Sequence, residues 1–413
     1  MESTPGILYK GYNYFHEQFQ KQETDLLKVR LFLKKALVMR GEEAAEIFYD
    51  DSRFSREGAT PKRFKKTLLG KGGVQGLDGD EHVHRKRMFM QEMNPDSLAR
   101  LEEFFEAHLQ KAISSWEKQP EITFFDEIEE VLFRAACDWV GVPVKEDEVE
   151  QRKNELSELI DGAGRVGPGH YKARRARKSS EKWIMKLVRQ KRKQKINASG
   201  SSILSRFSFH RNLQNKLLDR RIVAVEILNL LRPIVAISRY ITFSALALHE
   251  NPQYRERLRK DTSKLDLYFV QEVRRFYPFF PFVPAKVNKE FEWKGVKFPK
   301  GRRVLLDLYA TQHHEKIWSN PNVFYAERFS TWNGSAFNFI PQGGGDHVHN
   351  HRCAGEWITI KLTRIALNNL VEKMSYHIPE QDLKIELSNI PAIPKSRLKM
   401  TNIERTLSGI QVL

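Results

Sequence analysis

The chain has 413 residues, 40% of them apolar and 29% charged, a composition typical of globular proteins that bury a large core. No apolar run is long enough to span a bilayer and the first residues lack the pattern of a signal peptide, so we expect no transmembrane segment and a cytoplasmic location. The two cysteines, Cys137 and Cys353, fit a reducing compartment better as free thiols, although a disulfide between them stays open.

The formal net charge of +17 is unevenly spread, because residues 172–195 hold twelve Lys or Arg and a single acid, Glu181. Such a run can bind nucleic acid, but no aromatic stacking platform accompanies it. We therefore interpret it as the solvated face of a helix and expect no nucleic-acid partner. Its field would still attract anionic small molecules or anionic lipid surfaces.

Apolar residues at helical spacing predict a mainly α-helical chain. The predicted helices span residues 26–37, 41–49, 95–115, 124–142, 146–160, 178–194, 217–248, 265–276 and 353–374. Asn94 is the expected cap of the helix that begins at Pro95. The predicted strands are short and late, at 284–291, at 298 beyond a turn at 293–295, at 304–308 and within the last forty residues. Residues 197–202 are interpreted as a loop inside one domain that spans residues 1–413.

The stretch 338–357 carries the strongest chemical signal in the chain. Gly343, Gly344 and Gly345 let the backbone approach a flat or bulky group closely, and histidines, Arg352 and Cys353 follow them. A thiol beside cations at a helix N-terminus is expected to have a depressed pKa, and a thiolate on such a loop is a soft metal ligand. The alternative is a buried structural cysteine, which would need neither the glycines nor the cations.

A second signal is the pair Arg232–Pro233 inside the longest apolar stretch. Proline removes a backbone donor and should distort the helix. An arginine on so apolar a helix requires an anion, and Glu226, six residues earlier on another face, is no obvious partner. Two interpretations remain open: a salt bridge to a distant carboxylate, or an arginine that holds a ligand carboxylate in a forked pair.

A third signal is Glu272 followed three residues later by Arg275, a spacing that puts both on one helix face. Most such pairs are surface ion pairs of little energetic weight. This one is followed by the aromatic and proline-rich segment 276–284, which predicts that the helix ends in an apolar wall.

The Glu272–Arg275 pair, the segment 327–329 (Glu-Arg-Phe) and the Cys353 loop, in this order, resemble the cytochrome P450 family over essentially the whole chain. The resemblance implies a mainly α-helical prism with small β-sheets that encloses haem b. It also implies that Cys353 is the axial thiolate on iron, and that Glu272 and Arg275 form a core pair with Arg328 nearby.

The same resemblance implies further cofactor contacts. His82 and Lys86, at helical spacing after Asp78, match the family's haem-propionate contacts, and His351 matches another.

The match is closer to one branch, the bacterial fatty-acid peroxygenases, which use hydrogen peroxide directly. Phe-Ile-Pro-Gln-Gly-Gly-Gly-Asp-His before Cys353, Ala-Gly-Glu-Trp after it and Leu-Arg-Pro in the long helix carry this resemblance. Arg232 and Pro233 stand where ordinary members have an acid and a threonine that deliver protons to dioxygen. The branch thus implies that Arg232 places the carboxylate of a long-chain fatty acid beside iron, where it serves as acid–base, with no obligatory reductase.

The segment 71–79 resembles the branch's distal loop, with Gln75 at the variable position. That position looks like histidine in members that decarboxylate fatty acids to alkenes and like glutamine in hydroxylating members. We therefore expect 2- and 3-hydroxy fatty acids as the main products and alkene as a minor one, because a neutral amide does not titrate at working pH. A fatty-acid decarboxylase that gives terminal alkenes is the alternative function. The alternative is a loop glutamine that faces solvent.

Phe279, Phe282 and Val166 match channel residues of the branch, so we expect them to line the alkyl chain; the phenylalanines could equally be ordinary core. One departure from the pattern is Asn350, where the branch has glycine. Because asparagine also adopts positive φ, the loop is expected to survive the change.

Three other functions are compatible with part of the sequence. The alternating histidines at 347–351 and 82–84 could bind a non-haem metal, as in a hydrolase, but this explains neither Arg232–Pro233 nor the Glu272 pair. A basic nucleic-acid binder is the second. A reductase-dependent monooxygenase is the third, and the residues at 232 and 233 argue against it.

Overall fold

The computed structural model describes residues 2–195, 202–260 and 263–406. Helices predominate in these ranges. They are α1 (Thr4–Lys10), α2 (Asn13–Lys21), α3 (Glu42–Phe48), α4 (Lys62–Phe64), α5 (Gly79–Met90), α6 (Pro95–Trp116), α7 (Phe124–Val140), α8 (Val149–Asp161), α9 (Pro168–Arg192), α10 (Ile203–Phe209), α11 (Arg220–Val235), α12 (Ser238–Glu250), α13 (Gln253–Arg259), α14 (Leu265–Phe276), α15 (Leu308–Gln312) and α16 (Glu356–Asn368).

Ten strands accompany these helices, together with short 3₁₀ and π segments. They are β1 (Leu26–Leu31), β2 (Lys34–Met39), β3 (Phe54–Ser55), β4 (Glu121–Thr123), β5 (Phe282–Val287), β6 (Phe291–Trp293), β7 (Val296–Phe298), β8 (Arg303–Asp307), β9 (Met374–His377) and β10 (Lys399–Arg405). One sheet has the order β1-β2-β8-β5-β3, a second β4-β10-β9, and β6 pairs with β7. Only β2 and β8 run parallel among these pairs.

The main hydrophobic core is built by the long helices, and α11 and α12 run through it. Nearly every α11 side chain from Val223 to Val235 is buried, as expected for a helix that is apolar on all sides. Pro233 lies inside α11, and the helix is interrupted by a turn at residues 236–237 before α12 begins. The predicted distortion therefore follows Pro233 by one turn.

The prediction of a helix over residues 26–37 was wrong. This segment forms the antiparallel hairpin β1–β2, in which Leu31 pairs with Lys34 across the two-residue turn Phe32–Leu33. Its apolar residues satisfy both periodicities, but the buried set alternates along β1 only in part and becomes continuous in β2, which lies against β8 in the sheet. Long-range pairing of β2 with β8, invisible in the local pattern, decided the structure.

Most other predicted elements are present, with shifted ends. α14 coincides with the prediction, and Asn94 caps α6 by accepting from the Ser97 amide at 2.9 Å. The helix α9 begins at Pro168, ten residues before the predicted start, and α8 is preceded by a 3₁₀ turn, Glu146–Glu148. The loop predicted at 197–202 lies outside the described residues except for Ser202, which caps α10.

Within the described part of the chain, no helix combines the length and the apolar character needed to cross a membrane.

Candidate active site

Cys353 lies on a loop that is bent back on itself just before α16. Its amide donates to the Gln342 carbonyl at 3.1 Å, and Gly343 has φ of 93°, which a side chain would disfavour. A Cβ on Gly344 would lie 2.6 Å from the Ala336 carbonyl oxygen, so this glycine permits a close backbone approach. The glycine run therefore serves the fold of the loop that presents the thiol.

The expectation that neighbouring cations depress the pKa of the Cys353 thiol was wrong. Burial raises the pKa of Cys353, and nearby Lys86 opposes this only in part. The sequence neighbours that were expected to act on the thiol point elsewhere: Arg352 pairs with Glu356 at 2.7 Å and His351 lies 3.7 Å from Asp78. α16 also begins three residues after Cys353, not at it.

A polar network beneath this loop was missed by sequence reasoning. The Gln342 amide nitrogen lies 3.9 Å from Sγ of Cys353, and its oxygen accepts from Nη2 of Arg274 at 2.9 Å. The buried Glu356 carboxylate accepts from Arg274, from Arg352 and from His347. Burial opposes its ionisation, but these partners outweigh burial and hold the pKa of Glu356 well below its usual range.

His82, Lys86 and His351 come together on one side of the loop. The two imidazole rings stack with centroids 4.0 Å apart. Burial is the main reason that the pKa falls to about 3 for His82 and about 4 for His351, so both rings are neutral at pH 7. Lys86 on α5 donates to the carbonyl oxygens of Asn350 and Arg352.

Glu272 and Arg275 form a fully buried pair near the Cys353 loop. Nε and Nη2 of Arg275 each lie 2.7 Å from a Glu272 oxygen, a forked geometry. Nε of Arg328 reaches the same carboxylate at 3.1 Å, as the sequence pattern implied. This is a structural core pair, not the surface ion pair that its spacing alone would indicate.

Arg232 on α11 is 6% exposed and has no carboxylate partner within the described residues. Its Nη1 donates to the Leu68 carbonyl at 2.9 Å, Nη2 reaches Oδ1 of Asn229 only at 3.4 Å, and Nε is buried without a partner. Burial, with a contribution from Arg177, lowers the pKa of Arg232 to about 9, so the group is a cation at neutral pH.

Glu226 is engaged elsewhere, as expected from its position on another face. It accepts from Nη1 of Arg85, from the Val74 amide and from Nδ2 of Asn229, each at 2.9 Å. Asn229 also donates to the side-chain oxygen of Gln75 at 3.2 Å. The Gln75 side chain is therefore hydrogen-bonded to Asn229 on α11, the helix that carries Arg232, and is not a loop side chain in contact with solvent only.

A family model described as Cytochrome P450 matches residues 267–401. The solved structure of Cytochrome P450SP alpha (CYP152B1) in complex with (R)-ibuprophen is 44% identical, covers 98% of this chain and 99% of its own, and has a TM-score of 0.95. This chain belongs to the cytochrome P450 family.

Two further solved P450 structures are similar at a TM-score of 0.95. Cytochrome P450EX alpha (CYP152N1) with myristic acid is 40% identical over 98% of both chains. A variant of cytochrome P450 OleT in complex with arachidonic acid is 34% identical over 98% of this chain and 97% of its own. A curated relative, Abscisic acid 8'-hydroxylase 4 of Arabidopsis thaliana, is 21% identical over 94% of this chain and 87% of its own.

The residues of this P450 fit haem b with an axial thiolate from Cys353. Lys86 is 5% exposed, and within the described residues it forms no ion pair, so a haem propionate would supply the anion that a buried ammonium needs. Iron coordination deprotonates a thiol despite its burial. The other cysteine, Cys137, is buried in α7 and both thiols are free.

Asn350 does not adopt the positive φ that was expected of a glycine replacement in this P450. Its side chain instead bridges two segments: Oδ1 accepts from the Asp346 amide at 2.9 Å and Nδ2 donates to the Tyr49 carbonyl at 3.1 Å. The proximal loop is thereby attached to the end of α3.

The three residues predicted to line the alkyl chain have different surroundings. The Phe279 ring lies 4.8 Å from the ring of Tyr240 on α12. Phe282 opens β5 and packs against Phe15 of α2 at 6.1 Å. Val166 is 56% exposed, because the segment between α8 and α9 lies at the surface. Only Phe279 packs directly on the α11–α12 region, so a common channel stays a prediction.

Proposed function

We propose that this P450 uses hydrogen peroxide to hydroxylate long-chain fatty acids at carbon 2 or 3, with Arg232 holding the substrate carboxylate. The observation that supports it is a buried guanidinium with an unpartnered Nε and no carboxylate among the described residues. Its relatives were solved with carboxylic acids, namely myristic acid, arachidonic acid and (R)-ibuprophen.

The hydrogen bonds of Arg232 leave one edge for the ligand. Nη1 is held by Leu68, whereas Nε and Nη2, which together form the side-on edge, have no short partner. A carboxylate bound there would make two charge-assisted hydrogen bonds in a site of low dielectric constant. The substrate would thus be anchored by its carboxylate, with the carbons next to it nearest the reacting centre.

Bound haem supplies the centre at which peroxide is cleaved and one oxygen atom is transferred. The balanced reaction converts the acid and hydrogen peroxide to the hydroxy acid and water. Pro233 has neither a hydroxyl nor an amide proton to relay. We assign the proton transfers of peroxide cleavage to the substrate carboxylate on Arg232, because it is the ionisable group that binding brings to this site.

Gln75 favours hydroxylation over decarboxylation in this proposal. Its amide is held by Asn229 and carries no titratable proton. The competing reaction converts the acid and peroxide to a terminal alkene, carbon dioxide and two waters. The candidate contacts of the alkyl chain are Phe279, Phe282 and Val166. Phe279→Ala tests this assignment, because a wider channel should change the preferred chain length of the substrate.

The decisive experiment is product analysis with a saturated long-chain acid and hydrogen peroxide in the absence of any reductase. We expect 2- and 3-hydroxy acids from the wild type and none from Arg232→Ala or Arg232→Lys, since one ammonium cannot replace the fork. Arg221→Ala is the matched control on the same helix, because Arg221 is half exposed and pairs with Glu181. Activity that requires a reductase would establish the ordinary monooxygenase reaction instead.

The remaining assignments belong to the same proposal. They are a single haem-thiolate domain over residues 1–413, action without an obligatory reductase and a cytoplasmic location, which the two unbridged thiols support. The non-haem metal alternative has no support in the described residues, where no group of three or more His, Cys, Asp or Glu side chains could hold a metal ion.

A further inference from the structure

The turn of the β1–β2 hairpin has an unusual sequence. Phe32 and Leu33 form a two-residue turn with φ of 49° and 64°, a conformation that normally selects Asn-Gly because bulky side chains are strained there. The β6–β7 hairpin of the same chain has the ordinary solution, Lys294–Gly295. Both apolar side chains of the strained turn are displayed to solvent, Phe32 at 52% and Leu33 at 80% exposure.

α1 begins beside this turn and carries two more exposed apolar side chains. The Phe32 amide donates to Oγ1 of Thr4 at 2.8 Å, so the start of α1 is fixed against the hairpin. Leu8 follows Thr4 by four residues and therefore lies on the same helix face. Leu8 is 51% and Tyr9 81% exposed. We call Leu8, Tyr9, Phe32 and Leu33 the apolar tip.

Basic side chains surround the apolar tip. Lys28, Arg30, Lys34 and Lys35 on the two strands are exposed, and none forms an ion pair within the described residues. The single acid at the turn, Glu2, accepts from the Leu33 amide and from Thr4. Strain, exposure and charge thus coincide on one surface, whereas a merely solvated turn would carry small polar residues.

We propose that the apolar tip docks on the surface of an anionic phospholipid bilayer. Four large side chains next to the basic residues of β1 and β2 suit insertion at the headgroup boundary, and the basic residues would be attracted to anionic lipids. Four side chains offer too small an area for a stable protein–protein interface. The centre of such an interface is also depleted of charged residues. The proposal is independent of the proposed reaction, although a bilayer is also where long-chain fatty acids accumulate.

The test is co-sedimentation of the holoenzyme with vesicles of phosphatidylcholine alone or with phosphatidylglycerol. We expect binding to the anionic vesicles only, weakened by salt. The variant Phe32→Asn/Leu33→Gly should lose roughly tenfold or more in partition coefficient, because it removes two inserted side chains. Its melting temperature should equal or exceed that of the wild type, because Asn-Gly suits the turn. This combination excludes unfolding as the cause.

A second variant tests the basic residues of β1 and β2. Lys34→Gln/Lys35→Gln should also weaken binding roughly tenfold, since each cation near an anionic surface contributes to attraction. The matched control is Lys111→Gln/Lys118→Gln on and just after α6, which removes the same charge from an exposed surface outside the basic run 172–195 and should leave binding unchanged. Leu213→Ser/Val323→Ser, at 49% and 57% exposed positions, is the apolar control.

Three outcomes would overturn the proposal. Equal losses in the Lys111→Gln/Lys118→Gln variant would assign binding to the overall charge of the chain. Absence of wild-type binding to anionic vesicles would remove the lipid partner directly. Self-association that is abolished by Phe32→Asn/Leu33→Gly, without vesicle binding, would show that the apolar tip joins two copies of the chain.

Discussion

Two buried arginines of this P450 differ in what surrounds them. Arg275 is 1% exposed and every nitrogen of its guanidinium has a partner, two on Glu272 and one on the carbonyls of Gln312 and Pro321. Arg232 is 6% exposed and has one short hydrogen bond, to Leu68, and an unpartnered Nε. The first guanidinium is saturated by the protein, whereas the second keeps an edge for a ligand.

Structural and functional buried charges therefore respond differently to mutation. Removing one partner of a fully hydrogen-bonded buried ion pair lowers the free energy of unfolding strongly, because the other partner is left as an uncompensated buried ion. An unsaturated cation already imposes that cost on the folded protein, so its removal should spare or raise stability and damage binding instead. Each of the following variants is a test of this contrast.

The largest expected effect is that of Glu272→Ala. This change leaves Arg275 and Arg328 without their shared carboxylate and should lower the free energy of unfolding by about 3–5 kcal/mol. Denaturant unfolding and haem content after purification measure this. The matched control is Glu256→Ala, which breaks the exposed i,i+4 pair with Lys260 and should cost less than about 1 kcal/mol. Similar costs for the two variants would contradict a structural role for the buried pair.

Arg232→Leu should separate binding from stability. We expect fatty-acid affinity to fall by about 3 kcal/mol or more, the loss of two charge-assisted hydrogen bonds, while the melting temperature stays level or rises. Titration of the haem absorption band with a long-chain acid and a thermal melt supply the two measurements. A variant that is clearly less stable would show that Arg232 is a structural cation like Arg275.

Glu129 on α7 extends the contrast to a carboxylate. Burial, only partly offset by Arg239, raises the pKa of Glu129 to about 7. A raised folded-state pKa contributes stability that is complete below the unfolded value, near 4.5, and is lost as pH rises through 7. Glu129→Gln should therefore raise the free energy of unfolding by on the order of 2 kcal/mol relative to wild type at pH 8, and should leave it unchanged below pH 4.5. Denaturant unfolding as a function of pH checks it, and parallel pH profiles would refute it.

The smallest effect concerns Asn229→Ala, which removes the link between Gln75 and Glu226. Loss of these hydrogen bonds should cost about 1 kcal/mol of stability. If Gln75 must be held in place to favour hydroxylation, the ratio of hydroxy acid to alkene should fall as well. Mass spectrometry of the products measures it, with Asn251→Ala as the control, because Asn251 is half-buried just after the end of α12 and its side chain donates only to the Ala247 carbonyl. An unchanged ratio would assign Asn229 a purely structural role.

Features that depend on local spacing or on a complete motif could be predicted from the sequence. α14 begins and ends where its periodicity predicted, because one apolar face at helical spacing suffices to specify a helix. Asn94 caps α6 through a contact only three residues away. The family and its haem b with a thiolate ligand followed from three motifs in order, and the similar solved structures confirm them.

Features that depend on partners distant in the sequence could not be predicted and became visible in the folded chain. Residues 26–37 became a hairpin because β2 pairs with β8, more than two hundred residues away. The pKa of Cys353 rises because burial outweighs the effect of Lys86, while the fold pairs Arg352 with Glu356 and leaves His351 neutral beside Asp78. The bond from Arg232 to the Leu68 carbonyl has no side-chain signature in the sequence, since any residue can offer a backbone oxygen there. Electrostatic and hydrogen-bonding environments are properties of the packed chain, and these set the site.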